Sequence, residues 1–353
     1  MPNSDHLASP ALGRFNEFRR VRLGHTPTPL DRMPRLAQHL NIANGYVKRD
    51  DCTGLAFGGN KVRQLEFYFG EARAQDTDTV LITGAVQSNF VRLAAAAACQ
   101  LGMQCHIQLE ERVPRSDPTY RNSGNVILDK ILGATLYSYP EGEDEEGADR
   151  RLQEIAAKLR DEGRRPYVIP LGPGHPPLGA LGYIVAAAEL LAQMDEQGIT
   201  VDEIIIPSGS GATHAGFLFG LRALGCRIPV TGVCVRRNAA AQTERIKGHC
   251  VEIARMLEVP PAVGDEDVYI IDDFLAPGYG QLGEAAAQAL TLAARTEGLI
   301  VDPVYSAKAM AGFIQRATGA DSRRSLLLIH TGGTPAVFAY ADDLANASGP
   351  PLQ

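Results

Sequence analysis

Residues 50–66 read DDCTGLAFGGNKVRQLE. The Gly58-Gly59-Asn60 turn in this stretch delivers Lys61 to the start of a predicted helix. Apolar residues then recur at helical spacing, at Val62, Leu65, Phe69 and Ala72. Because glycine carries no Cβ, the turn lets the backbone approach a ligand closely. The stretch therefore predicts a helix that packs on one face and carries a lysine at its beginning.

Lys61 is the first candidate for chemistry. Near the positive end of a helix and among partly buried neighbours, the charged form of a lysine is disfavoured, which makes its amine a better nucleophile. The alternative is an ordinary solvated lysine after a glycine turn, and the tetrapeptide alone does not decide between the two. The decision depends on what the other loops carry.

The composition is that of an ordinary globular chain, and its 353 residues are enough for two domains. Hydrophobic residues make up 45% and charged residues 21%, as is usual for such proteins. A net charge of −7 without a basic stripe argues against nucleic-acid binding. The six cysteines form no Cys-x-x-Cys pair, and no secretory leader or membrane-length apolar run is evident. We therefore expect free thiols, a cytoplasmic location and no membrane association.

Short apolar runs alternate with longer amphipathic segments along the chain. Strands are predicted at 45–49, 79–83, 104–109, 135–139, 167–169, 203–207, 230–235, 268–271 and 325–330. Helices are predicted at 90–101, 148–161, 178–197, 284–296 and 306–316. This rhythm indicates an α/β fold with mostly parallel sheets flanked by helices. In such folds ligands bind at the carboxyl ends of the strands.

The turn Gln87-Ser88-Asn89 follows a predicted strand and precedes an alanine-rich helix. Ser88 is a good N-cap residue, and the free N–H groups beyond it form an anion site. The turn is either a plain helix cap or a pocket for a carboxylate.

A second turn, residues 207–216 (PSGSGATHAG), joins a buried strand to a helix in the arrangement that holds a phosphate. It lacks the Gly-Lys-Ser/Thr of a nucleoside-triphosphate loop. It also departs from the dinucleotide fingerprint, because His214 stands where a third glycine belongs. The next strand nevertheless ends at Arg236-Arg237, where a basic residue suits the phosphate of NADP. An NADP-dependent oxidoreductase is therefore the alternative from another class, although it gives Lys61 no role.

Three further turns carry hydroxyl groups. Tyr305 precedes a predicted helix, Tyr279 lies in a glycine turn, and Thr331 follows the last strand. A single tyrosine is more often a packed ring than an acid or base. The eight histidines form no metal-binding pattern, and the acidic residues 141–146 are interpreted as a solvated loop.

Together, a nucleophilic lysine, a monophosphate site, a carboxylate-binding helix start and a hydroxyl for a ring nitrogen fit pyridoxal 5'-phosphate. From about residue 20 to about residue 342 the chain resembles the D-cysteine desulfhydrase and 1-aminocyclopropane-1-carboxylate deaminase family, which has the tryptophan synthase β-like fold (fold type II). The matching runs are TPTPL (26–30), KRDD (48–51), GGNK (58–61), QSN (87–89), GALGY (179–183), THAG (213–216), PGYG (277–280), DPVY (302–305) and HTGG (330–333).

The resemblance implies a role for each matching position. Lys61 would bind the cofactor covalently as a Schiff base and carry a proton, and Asn60 would also bind the cofactor. Gln87, Ser88 and Asn89 would hold the substrate carboxylate, with Ser88 also counted as catalytic. The phosphate would be held by Ser208, Gly209, Ser210, Gly211, Ala212 and Thr213. Tyr279 and Tyr305 would flank the substrate as catalytic residues, and Thr331 would face the pyridine nitrogen.

Two positions depart from the family pattern. Gln64 stands where the family usually has a second lysine, which affects the phosphate contacts. The run Gly172-Pro173-Gly174-His175 replaces the usual Gly-Gly-Ser-Asn. If His175 faces the cleft, its imidazolium could pair with an anionic β-group of the substrate, with Arg236 or Arg237 adding charge. The alternative is a histidine that merely belongs to a rigid loop.

The predicted protein is a two-domain lyase that eliminates a β-substituent from a small amino acid. A smaller domain of residues 58–176 would be inserted into a larger one made of 1–57 and 177–353, and a homodimer is expected. The first substrate hypothesis is D-cysteine, followed by L-cysteate and then 1-aminocyclopropane-1-carboxylate. In the resembling deaminases an acid follows the tyrosine of the DPVY run and a leucine precedes the Gly-Gly turn. Ser306 and Thr331 occupy these positions here, which favours elimination over ring opening. A cofactor-free binding domain on the same scaffold is the remaining alternative.

Overall fold

The computed structural model describes residues 7–170, 174–318 and 321–347, and these contain two sheets. The strands are β1 (Leu30–Arg32), β2 (Asn44–Arg49), β3 (Thr79–Ala85), β4 (Gln104–Glu110), β5 (Thr135–Tyr139), β6 (Pro166–Ile169), β7 (Glu203–Ser208), β8 (Val230–Cys234), β9 (Tyr269–Ile271) and β10 (Ser325–His330). The larger sheet has the order β1-β2-β10-β7-β8-β9, and the smaller has the order β5-β4-β3-β6. Every pair is parallel except β1 with β2, so the predicted α/β class is confirmed.

Helices cover both sheets. They are α1 (Pro34–Leu40), α2 (Lys61–Ala74), α3 (Asn89–Gln100), α4 (Pro118–Asn122), α5 (Gly124–Ile131), α6 (Glu145–Asp161), α7 (Leu181–Gln197), α8 (Ala212–Ala223), α9 (Ala239–Leu257), α10 (Glu284–Glu297), α11 (Ser306–Ala317), α12 (Ala336–Ala339) and α13 (Ala341–Ala347). Short 3₁₀ turns occur at Pro10–Leu12, Phe15–Glu17, Asp50–Cys52, Leu55–Phe57, Leu178–Ala180 and Asp265–Asp267.

The predicted strands are all present, with ends within two residues of expectation, but some elements were not predicted. Strand β1 has only three residues and no alternating pattern, so its sequence carries no strand signal. Helix α9 was not predicted either, although its sequence carries a clear helix signal. Its buried residues Ile246, Cys250, Ile253 and Leu257 recur at helical spacing. The short helices α1, α4 and α5 were also missed, since fewer than three turns give little periodicity.

Helix α2 lies between the two sheets. The predicted apolar face of Val62, Leu65, Phe69 and Ala72 is fully buried in the core beneath the smaller sheet. Phe67, on the other side of the helix, belongs to the core of the larger sheet. The helix that carries Lys61 is therefore fixed from both sides.

A buried ion network anchors the first turn of α2. Arg63 donates to both oxygens of Asp50 (3.0 and 2.9 Å) and to both oxygens of Glu189 (3.0 and 2.8 Å). Lys48 completes the network at 2.5 Å from Glu189, and the four side chains are at most 2% exposed. Two cations and two anions balance, and each makes hydrogen bonds, as buried charges require.

Within the described residues, one helical segment, Leu178–Gln197, is long and apolar enough to cross a membrane. Most of it is buried inside the protein, where α7 packs against α8. It is a core helix of the larger sheet. All six cysteines are free thiols.

Candidate active site

The predicted functional turns meet in one cavity, which encloses about 890 Å³ of empty space and is partly open to solvent. The turns of Ser88, Thr213 and Thr331 follow parallel strands of the two sheets, so they converge at the carboxyl ends, whereas the turn of Tyr305 follows helix α10. The predicted site residues that line the cavity are Asn60, Lys61, Ser88, Asn89, Gly209, Ser210, Gly211, Thr213, Tyr279, Tyr305 and Thr331. Apolar surface with a few convergent polar groups, as found here, is typical of small-molecule sites.

Lys61 is the first residue of α2 and points into this cavity. Its Nζ lies 5.1 Å from the centroid of the Phe90 ring and 3.4 Å from Gln64 Oε1. Within the part of the chain that the structure describes, no carboxylate forms an ion pair with it. Burial lowers the pKa of Lys61 to about 8. An appreciable fraction of the amine is therefore neutral and nucleophilic near neutral pH.

The glycine turn before Lys61 is held against the turn after β10. The Asn60 N–H donates to the Thr331 carbonyl oxygen at 2.9 Å. Gly59 has φ +128°, and a Cβ added there would lie only 3.2 Å from the same oxygen. Glycine is required here by both the backbone conformation and the close approach.

Helix α3 begins the second part of the site. The Ser88 hydroxyl caps it by accepting from the Phe90 N–H at 3.2 Å. Asn89 Oδ1 accepts from Arg92 Nη1 at 2.9 Å, and Arg92 Nη2 donates to the Gly58 carbonyl at 2.8 Å. Arg92 thus joins the start of α3 to the glycine turn of Lys61.

Gln87 does not line the cavity, contrary to the sequence prediction. Its Nε2 donates to the carbonyls of Tyr120 (2.6 Å) and Ser123 (3.0 Å), and its Oε1 accepts from the Asn125 N–H. The amide of Gln87 is therefore fully hydrogen-bonded to backbone groups of residues 120–125, and it joins the turn before α3 to this segment.

The turn between β7 and α8 forms the third part of the site. Thr213 Oγ1 accepts from Asn60 Nδ2 at 2.8 Å and from Gln64 Nε2 at 2.7 Å. Its own O–H remains able to donate to an anion. Gln64, which replaces the family's usual lysine, is therefore a neutral hydrogen-bond donor that orients the Thr213 hydroxyl. Together with the N-terminus of the twelve-residue α8, this arrangement suits a phosphate.

Two residues of the predicted phosphate set are not in the lining of this cavity. Ser208 is buried, and its hydroxyl contacts His214 Nδ1 at 3.1 Å and accepts from Gln242 Nε2 at 2.9 Å. Ala212 begins α8 and lines a smaller neighbouring pocket. The Ser208 side chain is therefore not part of the cavity lining, whereas Ala212 belongs to the start of α8 through its backbone.

The two predicted tyrosines are a hydrogen-bonded pair, with 2.5 Å between their hydroxyl oxygens. Burial and the neighbouring Tyr279 raise the pKa of Tyr305 well above its usual range, so its phenol stays protonated. Lys308 holds the Tyr279 loop through two 2.9 Å hydrogen bonds to the carbonyls of Leu275 and Gly278. Burial lowers the pKa of Lys308 to about 8.

Thr331 lies beside Ser306, with 3.5 Å between the two hydroxyl oxygens. Ser306 also donates to the Gly332 carbonyl at 3.1 Å. The Asp302 carboxylate accepts from the N–H groups of Tyr305 and Ser306 (2.9 and 2.7 Å) and so positions both residues.

Several charged residues of the cavity were not predicted or were misjudged. Arg112, Glu145 and Arg245 line it together with Arg236 and Arg237. Arg112 lies two residues after the end of β4, and this position after a parallel strand could have predicted that it lines the site. The interpretation of residues 141–146 as a solvated loop is wrong for Glu145, which begins α6 and pairs with Arg236 and Arg237 at 2.7 Å each.

His175 lies outside this cavity. Its side chain is 44% exposed, with Nε2 3.4 Å from Asp149 Oδ2, in a surface pocket, and it also lines the smaller neighbouring pocket together with Ala212. The prediction that His175 faces the main cavity is therefore wrong. Gly172 and Pro173 lie outside the described residues. Among the described residues, no group of three or more histidine, cysteine, aspartate or glutamate side chains could hold a metal ion.

The fold and site define a cofactor-dependent enzyme, and comparison with known proteins identifies the family. The model of the pyridoxal-phosphate dependent enzyme family matches residues 21–332, and the chain belongs to this family. The D-cysteine desulfhydrase of Salmonella newport (strain SL254) is 39% identical over 334 residues, covering 93% of this chain and 98% of the relative. The D-cysteine desulfhydrase of Salmonella typhi is 38% identical over the same shares.

Solved structures agree. The crystal structure of an ACC deaminase homologue superposes with a TM-score of 0.84 at 34% identity, over 96% of this chain and 99% of that one. A fungal L-serine ammonia-lyase from Rhizomucor miehei has a TM-score of 0.62 at 19% identity, over 91% of this chain and 98% of that one, and shares the fold.

The residues present fit pyridoxal phosphate. Lys61, whose amine has no ion-pair partner among the described residues, shares the cavity with the start of α8, which suits a phosphate, and with Thr331, whose hydroxyl lies 3.5 Å from that of the buried Ser306. The family assignment also replaces the NADP-dependent alternative, and Arg236 and Arg237 have another partner in Glu145.

Proposed function

We propose that this protein is a carbon–sulfur lyase that converts D-cysteine to pyruvate, ammonia and sulfide. The observation that carries the proposal is the convergence in one cavity of the Lys61 amine, the start of α3 and the Tyr279–Tyr305 pair. The relatives named D-cysteine desulfhydrase, similar over nearly their whole length, support the leaving group.

Each of the chain's own groups has a separate task. When bound, pyridoxal phosphate supplies an electron-withdrawing ring conjugated to the substrate nitrogen, which acidifies the Cα–H bond. The Nζ of Lys61 takes the Cα proton, since it is neutral above pH 8. The N–H groups at the start of α3, with Ser88 and Asn89, hold the substrate carboxylate. The hydroxyls of Tyr279 and Tyr305, 2.5 Å apart, flank the substrate and orient the departing sulfur, which leaves with the electron pair of the Cβ–S bond.

The hydroxyl pair Ser306 and Thr331 favours elimination over ring opening. A carboxylate at this place would keep a ring nitrogen protonated and deepen its electron withdrawal, whereas neutral hydroxyls do not. Elimination needs only a short-lived carbanion, because the β-substituent leaves at once. The protein should therefore form little ketobutyrate from 1-aminocyclopropane-1-carboxylate, which is the weaker alternative.

L-Cysteate is the second candidate substrate, with sulfite as the leaving group. The observation in its favour is the presence of Arg236 and Arg237 in the lining of the cavity. An arginine fork matches the oxygens of a sulfonate.

The cellular setting belongs to the same proposal. Six free thiols suit a reducing cytoplasm. A homodimer is supported by the exposed apolar side chains of Ile127, Ile131 and Phe338, on the packed helices α5 and α12. We also propose that the chain forms two domains, one of residues 58–176 and one of residues 1–57 plus 177–353. The support is that residues 79–169 contribute the whole of the smaller sheet.

Spectroscopy and product analysis test this function. The purified protein should be yellow, and borohydride should fix the cofactor covalently to the wild type but not to Lys61→Ala. The wild type should release pyruvate from D-cysteine, and Lys61→Ala should lose nearly all turnover. If the wild type forms ketobutyrate from 1-aminocyclopropane-1-carboxylate with a higher kcat/KM than pyruvate from any β-substituted amino acid, the proposal is wrong.

A further inference from the structure

Three arginines converge on one carboxylate at the mouth of the cavity. Arg236 Nη1 and Arg237 Nη2 each lie 2.7 Å from Glu145 Oε1, and Arg245 Nη1 lies 3.7 Å from Oε2. All four side chains are at most 20% exposed. We name these residues the arginine cluster and its internal carboxylate.

The cluster carries more positive charge than its partners neutralise. Among the described residues, Glu145 is the one carboxylate that the three arginines share, and Arg236 gains only the 77% exposed Glu143 in addition. Burial and the like charge of Arg245 lower the pKa of Arg237 to about 10. Crowded, partly buried cations of this kind are stabilised by another anion.

The cluster adjoins the reacting groups. Arg237 Nη1 donates to the Gly209 carbonyl at 3.3 Å. A Cβ placed on Gly209 would lie 3.5 Å from the Tyr305 ring, so one residue separates the cluster from the tyrosine pair. Tyr279 lines both the cavity and the outer opening that Arg236, Arg237 and Glu145 share. A substituent that reaches the tyrosine pair from the cavity is thus next to the cluster.

We propose that the arginine cluster binds the anionic β-substituent of a substrate such as cysteate, and that Glu145 occupies the cluster until this substituent displaces it. The inference rests on the proposed lyase function. In the reaction Cα loses a proton, the Cβ–S bond breaks with its electron pair on sulfur, and sulfite departs. Water then converts the remaining three-carbon fragment to pyruvate and ammonia.

The cofactor phosphate is the other anion that could meet these arginines. The phosphate site has donors of its own in the start of α8 and in Thr213. The Nε of Arg245 is already used by the Ser210 carbonyl at 2.7 Å. Measuring the affinity for pyridoxal phosphate in the arginine variants distinguishes the two, because only a cluster that binds the cofactor phosphate would weaken that affinity when it is changed.

The test compares holoenzyme variants Arg236→Gln, Arg236→Lys and Glu145→Gln with wild type. Arg121→Gln is the matched control, since Arg121 makes a bidentate pair with Glu111 (2.6 and 2.7 Å) away from the cavity lining. The readouts are kcat/KM for both enantiomers of cysteate and cysteine, and the cofactor dissociation constant from absorbance. Calorimetry measures binding of 3-sulfopropanoate, which has no amine to react, against butanoate.

Arg236→Gln should lower the cysteate-to-cysteine ratio of kcat/KM about tenfold, and Arg236→Lys should restore part of it. Glu145→Gln should raise this ratio and tighten 3-sulfopropanoate about fivefold, because the internal competitor has lost its charge. Arg121→Gln should leave the ratio unchanged.

Two results would overturn the inference. One is an equal loss for cysteate and cysteine in Arg236→Gln, and the other is a weakened cofactor affinity that accounts for the whole effect. If wild type turns over none of the amino acids, the proposed lyase function fails. In that case the calorimetry alone decides: loss of 3-sulfopropanoate binding in Arg236→Gln supports anion binding by the arginine cluster, and unchanged binding refutes it.

Discussion

Replacing Arg63 by methionine is the sharpest test of how the helix of Lys61 is held. The substitution keeps an unbranched, apolar side chain but removes a guanidinium that donates to Asp50, Glu189 and Thr28. The remaining buried charges are Lys48, Asp50 and Glu189, so the balanced network becomes one negative charge in excess. Removing one partner of a buried ion pair costs about 3–5 kcal/mol of unfolding free energy.

The penalty of Arg63→Met should depend on pH. In the wild type the pKa of Asp50 is held below its usual value: burial opposes this, but Arg63 and Lys48 outweigh it. Without Arg63, one carboxyl group takes up a proton more readily in the folded protein than in the unfolded chain, so its folded-state pKa is raised. Stability from such a group is present at low pH and is lost as the pH rises. The penalty should therefore be smaller at pH 5 than at pH 8.

Urea unfolding followed by circular dichroism, at both pH values, measures this effect. Arg63→Met/Glu189→Gln should recover part of the loss, because Lys48 and Asp50 then balance each other. Arg121→Met is the control, since it breaks a surface pair worth about 1 kcal/mol or less. A penalty for Arg63→Met no greater than that of the control, or one that grows as the pH falls, would refute the reasoning.

Three further predictions concern the site. In cofactor-free protein, the rate of reaction of Lys61 with pyridoxal phosphate should rise with pH, with a midpoint at about pH 8, and then level off, because burial lowers the pKa of the amine to about 8; a midpoint at the value of a free lysine would contradict this. Gln64→Leu removes a donor to Thr213 and should raise the cofactor dissociation constant about threefold to tenfold in a fluorescence titration, as expected for one hydrogen bond; unchanged affinity would exclude this role. Lys308→Met removes both hydrogen bonds that hold the Tyr279 loop, so limited proteolysis within residues 275–280 should become faster while kcat falls about tenfold; an intact loop with lowered kcat would point to another cause.

Three polar turns of the site could be located from the sequence because each of these three follows a buried strand. Ser88, Thr213 and Thr331 all lie just beyond strands whose apolar runs are unmistakable. Parallel strands bring their carboxyl ends to the same edge, so periodicity alone predicts that these turns meet. Lys61 was found by the same logic, from a glycine turn in front of a helix with one apolar face.

What periodicity does not contain is the choice of partner between side chains that are distant in sequence. Gln87 is adjacent to Ser88, yet its amide is used by carbonyls more than thirty residues away. His175 interrupts a family motif, yet its loop turns it towards Asp149 on the surface. The local pattern of apolar residues predicts neither of these contacts.

The sequence by itself determined the α/β class, the helix of Lys61 and the convergence of the turns, because these follow from short-range periodicity and from the geometry of parallel strands. Only the tertiary structure decided that Glu145 would meet Arg236 and Arg237, which lie about ninety residues further along the chain. That contact joins the start of α6 to the turn after β8, and it exists because the two sheets pack with their carboxyl ends facing one cavity. The charge that lines the mouth of the site is therefore a property of the packed sheets, and no local stretch of sequence specifies it.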